Sequence, residues 1–152
     1  MKIKSVIASL VVLFVSVGCA SSPDYSKPIS KGKATISGTF ADLASFYTDN
    51  NAHVRIQSID GEKYGVFNGS TDPINISPGT HSLELFVSNQ SAISEFTYKL
   101  NAEGGRRYQL KATLADNQFH VRLLDISIPD KELLVSSKKI GIDRVEKPVL
   151  VY

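Results

Sequence analysis

Three histidines, two Ser-x-x-Lys spacings, a cluster of basic residues and one cysteine are the parts of this chain able to do chemistry. His53, His81 and His120 can each offer a ring nitrogen to zinc. None has a neighbouring Cys and no pair has His-x-x-x-His spacing, so only the fold could gather them. As ordinary strand histidines they need no metal. Ser136-x-x-Lys139 and Ser30-x-x-Lys33 have the spacing of a lysine-activated serine, yet neither falls in a predicted helix and no Ser-Asp-Asn or Lys-Thr-Gly follows. The acidic residues scatter over predicted strand faces and turns. No two are placed for acid and base work, which needs one carboxyl pKa raised by burial. Arg106, Arg107, Lys111 and Arg122 can form a basic stripe across two paired strands, with Arg107, Lys111 and Arg122 on one solvent face. Such a stripe suits a glycan phosphate or a lipid headgroup, but a solvated sheet face with carboxylates nearby is the expectation. These residues assign no catalytic group, no metal ligand and no cofactor.

Cys19 is different, because its surroundings name a reaction. It is the only cysteine and follows the small residue Gly18 at the end of an apolar run from Val6 to Val17, itself preceded by Lys2 and Lys4. A membrane-spanning helix needs roughly 20 apolar residues and this run supplies about a dozen, so the segment reads as an export leader rather than a retained span. Ser16-Val17-Gly18-Cys19 resembles the lipobox of bacterial lipoproteins, with Ser16 where that family usually has Leu. The resemblance implies cleavage between Gly18 and Cys19 and acylation of Cys19 as the first residue of the mature chain. Each buried CH₂ contributes about 0.8 kcal/mol, so several acyl chains give a durable hold where one is marginal.

Losing Lys2 and Lys4 with the leader brings the cations level with the 15 acids. A neutral, interspersed surface gives no overall electrostatic case for nucleic acid or for an anionic membrane surface. The stretch from Ala20 to Lys33 is rich in Ser, Lys and Pro, with little apolar content beyond Tyr25 and Ile29, and reads as a tether reaching roughly 45 Å stretched or about 20 Å as a coil. Ala20 and Ser21 lack the Asp that holds such lipoproteins in the inner membrane of enteric bacteria. The expected location is the periplasmic face of the outer membrane.

From Ala34 the apolar pattern has period two. Ala34, Ile36, Gly38 and Phe40 share one predicted face; Val54 and Ile56 share another; Ile74 and Ile76 follow. His81, Leu83, Leu85 and Val87 alternate with Ser82, Glu84, Phe86 and Ser88. Phe96, Tyr98, Leu100 and Ala102 form a row, then Tyr108, Leu110, Ala112 and Leu114, then Phe119, Val121 and Leu123. Asp60-Gly61, Ser77-Pro78-Gly79, Asn89-Gln90-Ser91, Glu103-Gly104-Gly105 and Asp116-Asn117 mark turns. Only the stretch from Ala41 to Asn51 suggests a short helical turn. These features predict an all-β chain, a single antiparallel β-sandwich of about seven to eight short strands. The expected divisions are a leader over 1–18, the lipidated Cys19 and linker over 19–33, the sandwich over 34–128, and a tail over 129–152 supplying edge strands.

The order Val54-Arg55-Ile56, Ile59-Asp60-Gly61, Asp72-Pro73-Ile74-Asn75-Ile76 and Ser77-Pro78-Gly79-Thr80-His81-Ser82-Leu83-Glu84-Leu85 resembles the PEGA-type β domain of bacterial envelope proteins. It is similar also to small prealbumin-like lipoprotein domains of unknown function, which carry a Gly-x-x-Tyr motif comparable to Gly105-Arg106-Arg107-Tyr108. The match covers about a third of the chain and rests mostly on turns. Gly65 to Thr71 replaces the family's short Gly-x-Thr-Pro connection. The resemblance implies a non-catalytic envelope module and transfers no site residues.

In the tail, Lys131 to Val135 and Lys147 to Tyr152 read as strands, with Ile140 to Arg144 between them. They fold back to close the sandwich edge, or Val149 to Tyr152 adds to a partner's sheet; folding back is the expectation. Asn68, Asn75 and Asn89 fit the glycosylation acceptor pattern and read as turn residues. The expected function is a lipid-anchored, non-enzymatic accessory or interaction module of the cell envelope, held at the membrane through Cys19. The alternatives are a glycan-binding module stacking sugars on Tyr47, Tyr64 or Tyr98, and an inhibitor of an envelope hydrolase, although such inhibitors usually have Trp and a disulfide and this chain has neither.

Overall fold

The computed structural model describes residues 28–41, 50–65 and 69–145. These are all-β, with no helix among them and hence none able to cross a membrane. Ten strands run in chain order: β1 (Ala34–Ser37), β2 (Asn51–Ile59), β3 (Glu62–Lys63), β4 (Ile74–Ile76), β5 (Gly79–Ser88), β6 (Ala92–Ala102), β7 (Arg107–Ala115), β8 (Gln118–Asp125), β9 (Leu133–Gly141) and β10 (Arg144–Val145). The leader, Gly18, Cys19, the suggested helical turn and the last expected strand lie outside the described residues.

Two ladders share one core. The first runs β10-β6-β5-β2-β3 and the second β4-β1-β7-β8-β9. Their apolar rows meet: Val54, Ile56, Leu83, Leu85, Val87 and Leu100 pack with Ile36, Leu110, Phe119, Val121 and Leu123 in a single buried cluster. β2 changes ladders, pairing Asn51 and Ala52 with Thr113 and Ala112 of β7 before it joins β5. At the other corner the chain leaves β9 and reaches β6 through β10.

The tight hairpins follow from their turn residues. Asp116 and Asn117 have φ of 51° and 57°, and Asp60 and Gly61 have 52° and 84°. Left-handed backbone at both central positions matches the strand twist, and Asn, Asp and Gly tolerate it best. Gly38 is required for a different reason. A Cβ there would lie 2.0 Å from the carbonyl oxygen of Val54, where Thr39 and Val54 exchange hydrogen bonds of 2.9 and 2.8 Å.

The structure corrects several expectations. β1 pairs parallel with β7, so the sheet is not antiparallel throughout. The two strands are far apart in sequence, so no short turn dictates their direction. The strand count rises above seven to eight because β3, β4 and β10 are stubs of two or three residues, while β5 and β6 run to 10 and 11. Phe40 leaves the buried row of Ala34 and Ile36, is 64% exposed and stacks on His53 at 4.2 Å, because the chain has already turned onto β2 at Gly38. Phe86, expected on the polar face, is buried between Arg55 and Glu95 of the flanking strands. The tail folds back as far as Val145, as expected, and the strand expected over Lys131 to Val135 starts at Leu133 and runs on to Gly141 along β8. Between Leu123 and Leu124 the register shifts, and one residue of β9 bulges out.

Candidate functional site

Turns from both ladders converge at one end of the molecule, where the chain enters from residue 28. Lys33 is fastened there: its amide donates to the Ser30 carbonyl at 2.9 Å, its carbonyl accepts from Gly105 at 2.8 Å, and its ammonium donates to Ser77 Oγ at 2.7 Å. The tether expected to run free to Lys33 is therefore tied down from Ser30.

His81, at the same end, joins two turns. Its Nδ1 lies 2.7 Å from Asp60 Oδ2 and its Nε2 lies 2.7 Å from the Ser77 carbonyl oxygen. A carboxylate and a carbonyl only accept, so both ring nitrogens donate and the imidazolium is the form that fits. Partial burial of the ring lowers its pKa. The hydrogen bonds to Asp60 and Ser77 and the charge of Asp60 outweigh that and the opposing Lys33, so the net shift is upward. Asp60 is lowered, first by the amide of Ser82, which donates to Oδ1 at 2.8 Å, and then by His81. Asp60, His81 and Ser77 look like a hydrolytic triad in composition only. The ring has no lone pair left to take a proton, and it faces the carbonyl of Ser77 rather than its hydroxyl.

A second network closes the same end. Arg106 Nη1 donates to the buried Asp125 at 3.1 Å and Arg106 Nε lies 3.4 Å from Glu103. The other oxygen of Asp125 accepts from the Ser127 amide at 2.8 Å, and Ser127 Oγ accepts from the Arg107 amide at 2.9 Å. The strand after the Gly104-Gly105 turn is thereby pinned to the end of β8.

The structure separates the three histidines. His53 Nδ1 accepts from the Ala41 amide at 2.9 Å, and its pKa is lowered by burial and then by Arg55. His120 sits on β8 opposite Thr113 and Lys139, its Nε2 buried without a hydrogen bond. Among the described residues no three His, Cys, Asp or Glu side chains group as metal ligands. Ser136 and Lys139 cannot meet, because on a strand residues three apart face opposite ways. Ser136 Oγ instead shares a hydrogen bond with Tyr98 Oη, and Lys139 lies beside His120. Lys33 reaches Ser77 rather than Ser30 Oγ.

The basic stripe exists in register. Lys111 faces Arg122 directly across β7 and β8, and Arg107 shares that face two positions from Gln109. Glu132 forms an ion pair with Lys111, which relieves the opposed like charges. Tyr98 is only 6% exposed, so it is core rather than a sugar platform, and Tyr64 is half-buried against the core. Tyr47 and Asn68 lie outside the described residues. Asn75 is exposed, and Asn89 Oδ1 accepts from the amides of Ser91 and Ala92, closing its turn as expected.

No family model matches the chain, and neither do the curated proteins nor the solved structures.

Proposed function

We propose that this protein is a lipid-anchored module of the bacterial cell envelope, acylated on Cys19 after removal of residues 1–18, and that its β domain works by binding rather than by catalysis. One observation supports this most: the only thiol stands immediately after an apolar leader, and the tethering chain that follows is gripped by the domain at a single end through Ser30, Lys33, Ser77 and Gly105. A tether fixed in this way gives an anchored domain a defined orientation. The conspicuous polar cluster beside it is saturated by its own hydrogen bonds, which favours structure over chemistry.

The test is fractionation of cells producing the full chain or Cys19→Ala. The parent is expected in the outer-membrane fraction and the variant in the soluble periplasm. A variant that still floats with membranes overturns the reading. In-cell crosslinking with mass spectrometry then separates a protein partner from a glycan.

A further inference from the structure

Of the large hydrophobic side chains exposed among the described residues, Phe40 stacks on a histidine and the other four fall in one short stretch: Ile128, Leu133, Leu134 and Val135, which are 46%, 49%, 61% and 50% exposed. The backbone here belongs to an edge strand, paired on one side only with β8. Where β9 passes β6, contact is through side chains: Tyr98 with Ser136, and Lys138 Nζ 5.7 Å above the Phe96 ring. Past Ser136 toward Leu133 the side chains of Val135, Leu134 and Leu133 stand exposed.

The position of this ledge is set by the register. Ile36 pairs with Tyr108, Tyr108 with Asp125, and Asp125 with Leu133. Three strand spacings of about 4.8 Å place Leu133 about 14 Å from Ile36 across the sheet. Because β1 and β7 are parallel, the chain enters β1 at the same end as the ledge, and Ile128 lies in the connection there. From Cys19 to Pro28 the sequence can span no more than about 30 Å, and about 17 Å as a coil. As a coil the segment keeps a bilayer holding Cys19 close to this end, while the opposite Asp116-Asn117 turn lies the length of β7, about 27 Å, farther on.

Charge agrees with that placement. Exposed Lys131 and Arg122 border the ledge, while of the neighbouring acids Glu132 is paired with Lys111 and Asp125 with Arg106, leaving Asp130. An apolar ledge with cationic neighbours matches the headgroup boundary of a membrane containing anionic lipid.

We propose that Leu133, Leu134 and Val135 rest in the surface of the same membrane that carries the lipid anchor, so that the domain lies on its ledge rather than swinging freely. This rests on the acylation of Cys19. The full chain, processed in cells and reconstituted into phosphatidylethanolamine and phosphatidylglycerol vesicles, would carry an environment-sensitive fluorophore on Leu134→Cys, with Leu133→Cys as a second site and Ala115→Cys at the far end as reference. Emission at 134 and 133 should rise about two-fold on reconstitution and be quenched by nitroxide-labelled lipid, while 115 stays unchanged. Floating protein whose ledge probes remain in water overturns the ledge and leaves the anchor standing. Protein that does not float overturns both. A rise that follows protein concentration and ignores the lipid quencher overturns membrane docking in favour of strand addition by a second copy.

Discussion

The carboxylate of Asp60 and the ring of His81 meet at 2.7 Å and, with Ser77, join two turns between which the chain forms β3 and then β4 of the other ladder. Through the second ring nitrogen and Ser77, whose hydroxyl accepts from Lys33, this contact connects the incoming chain to the first ladder.

The pairing makes stability depend on pH. His81 has its pKa raised above the ordinary 6.5, so its contribution is complete below that value and is lost as pH rises through the folded value. Asp60 is lowered below 3.8, so its contribution holds above that value and is lost as pH falls through the folded one. His81→Asn should lower the melting midpoint by roughly 2–4 °C at pH 5 and by clearly less at pH 8.5. Equal losses at both values would show that the ring works by packing alone.

Gly38 lies where β1 crosses to β2. Gly38→Ala should cost about 1–3 kcal/mol or more, because the new methyl meets the Val54 backbone at 2.0 Å. Gly141→Ala enters open space and should stay within about 0.5 kcal/mol of the parent. Urea unfolding of the two variants checks the contrast.

Tyr98 reaches from β6 to Ser136 on β9 across a corner with no ladder. Tyr98→Phe keeps the buried ring and removes that hydrogen bond, for a loss of about 1 kcal/mol. Amide exchange should quicken in residues 133–141 and stay unchanged in β5. Uniform quickening would mean that β9 opens only when the whole domain unfolds.

Asp143 holds the other junction on that side, accepting from Ser94 Oγ at 3.0 Å and from the Glu95 amide at 2.8 Å. Asp143→Ala should destabilise by about 1 kcal/mol, measured by thermal unfolding. An unchanged midpoint would mean that β10 adds nothing to the edge.

Much of the sheet was legible before any coordinates. Leu83, Leu85 and Val87, and Phe119, Val121 and Leu123, alternate cleanly because each strand has one face in the core. Asp60-Gly61 and Asp116-Asn117 announced their hairpins because few other residues accept that backbone. Partner choice between distant strands was hidden. No local pattern marks β1 as parallel to β7, and β1 is buried on all four residues, which erases alternation. The polar network was hidden for the same reason: Asp60 and His81, or Arg106 and Asp125, meet only once the ladders have formed. The Arg107, Lys111 and Arg122 face was readable, since it needs only period two and one hairpin. Tyr98 misled because an aromatic on an alternating row fits core and platform equally, and only the facing sheet decides.

The anchor is tested most directly by the intact mass of the protein extracted from membranes with detergent. The account predicts a chain starting at Cys19 and carrying the added mass of its acyl groups. A chain that keeps residues 1–18, or one starting at an unmodified Cys19, would contradict it.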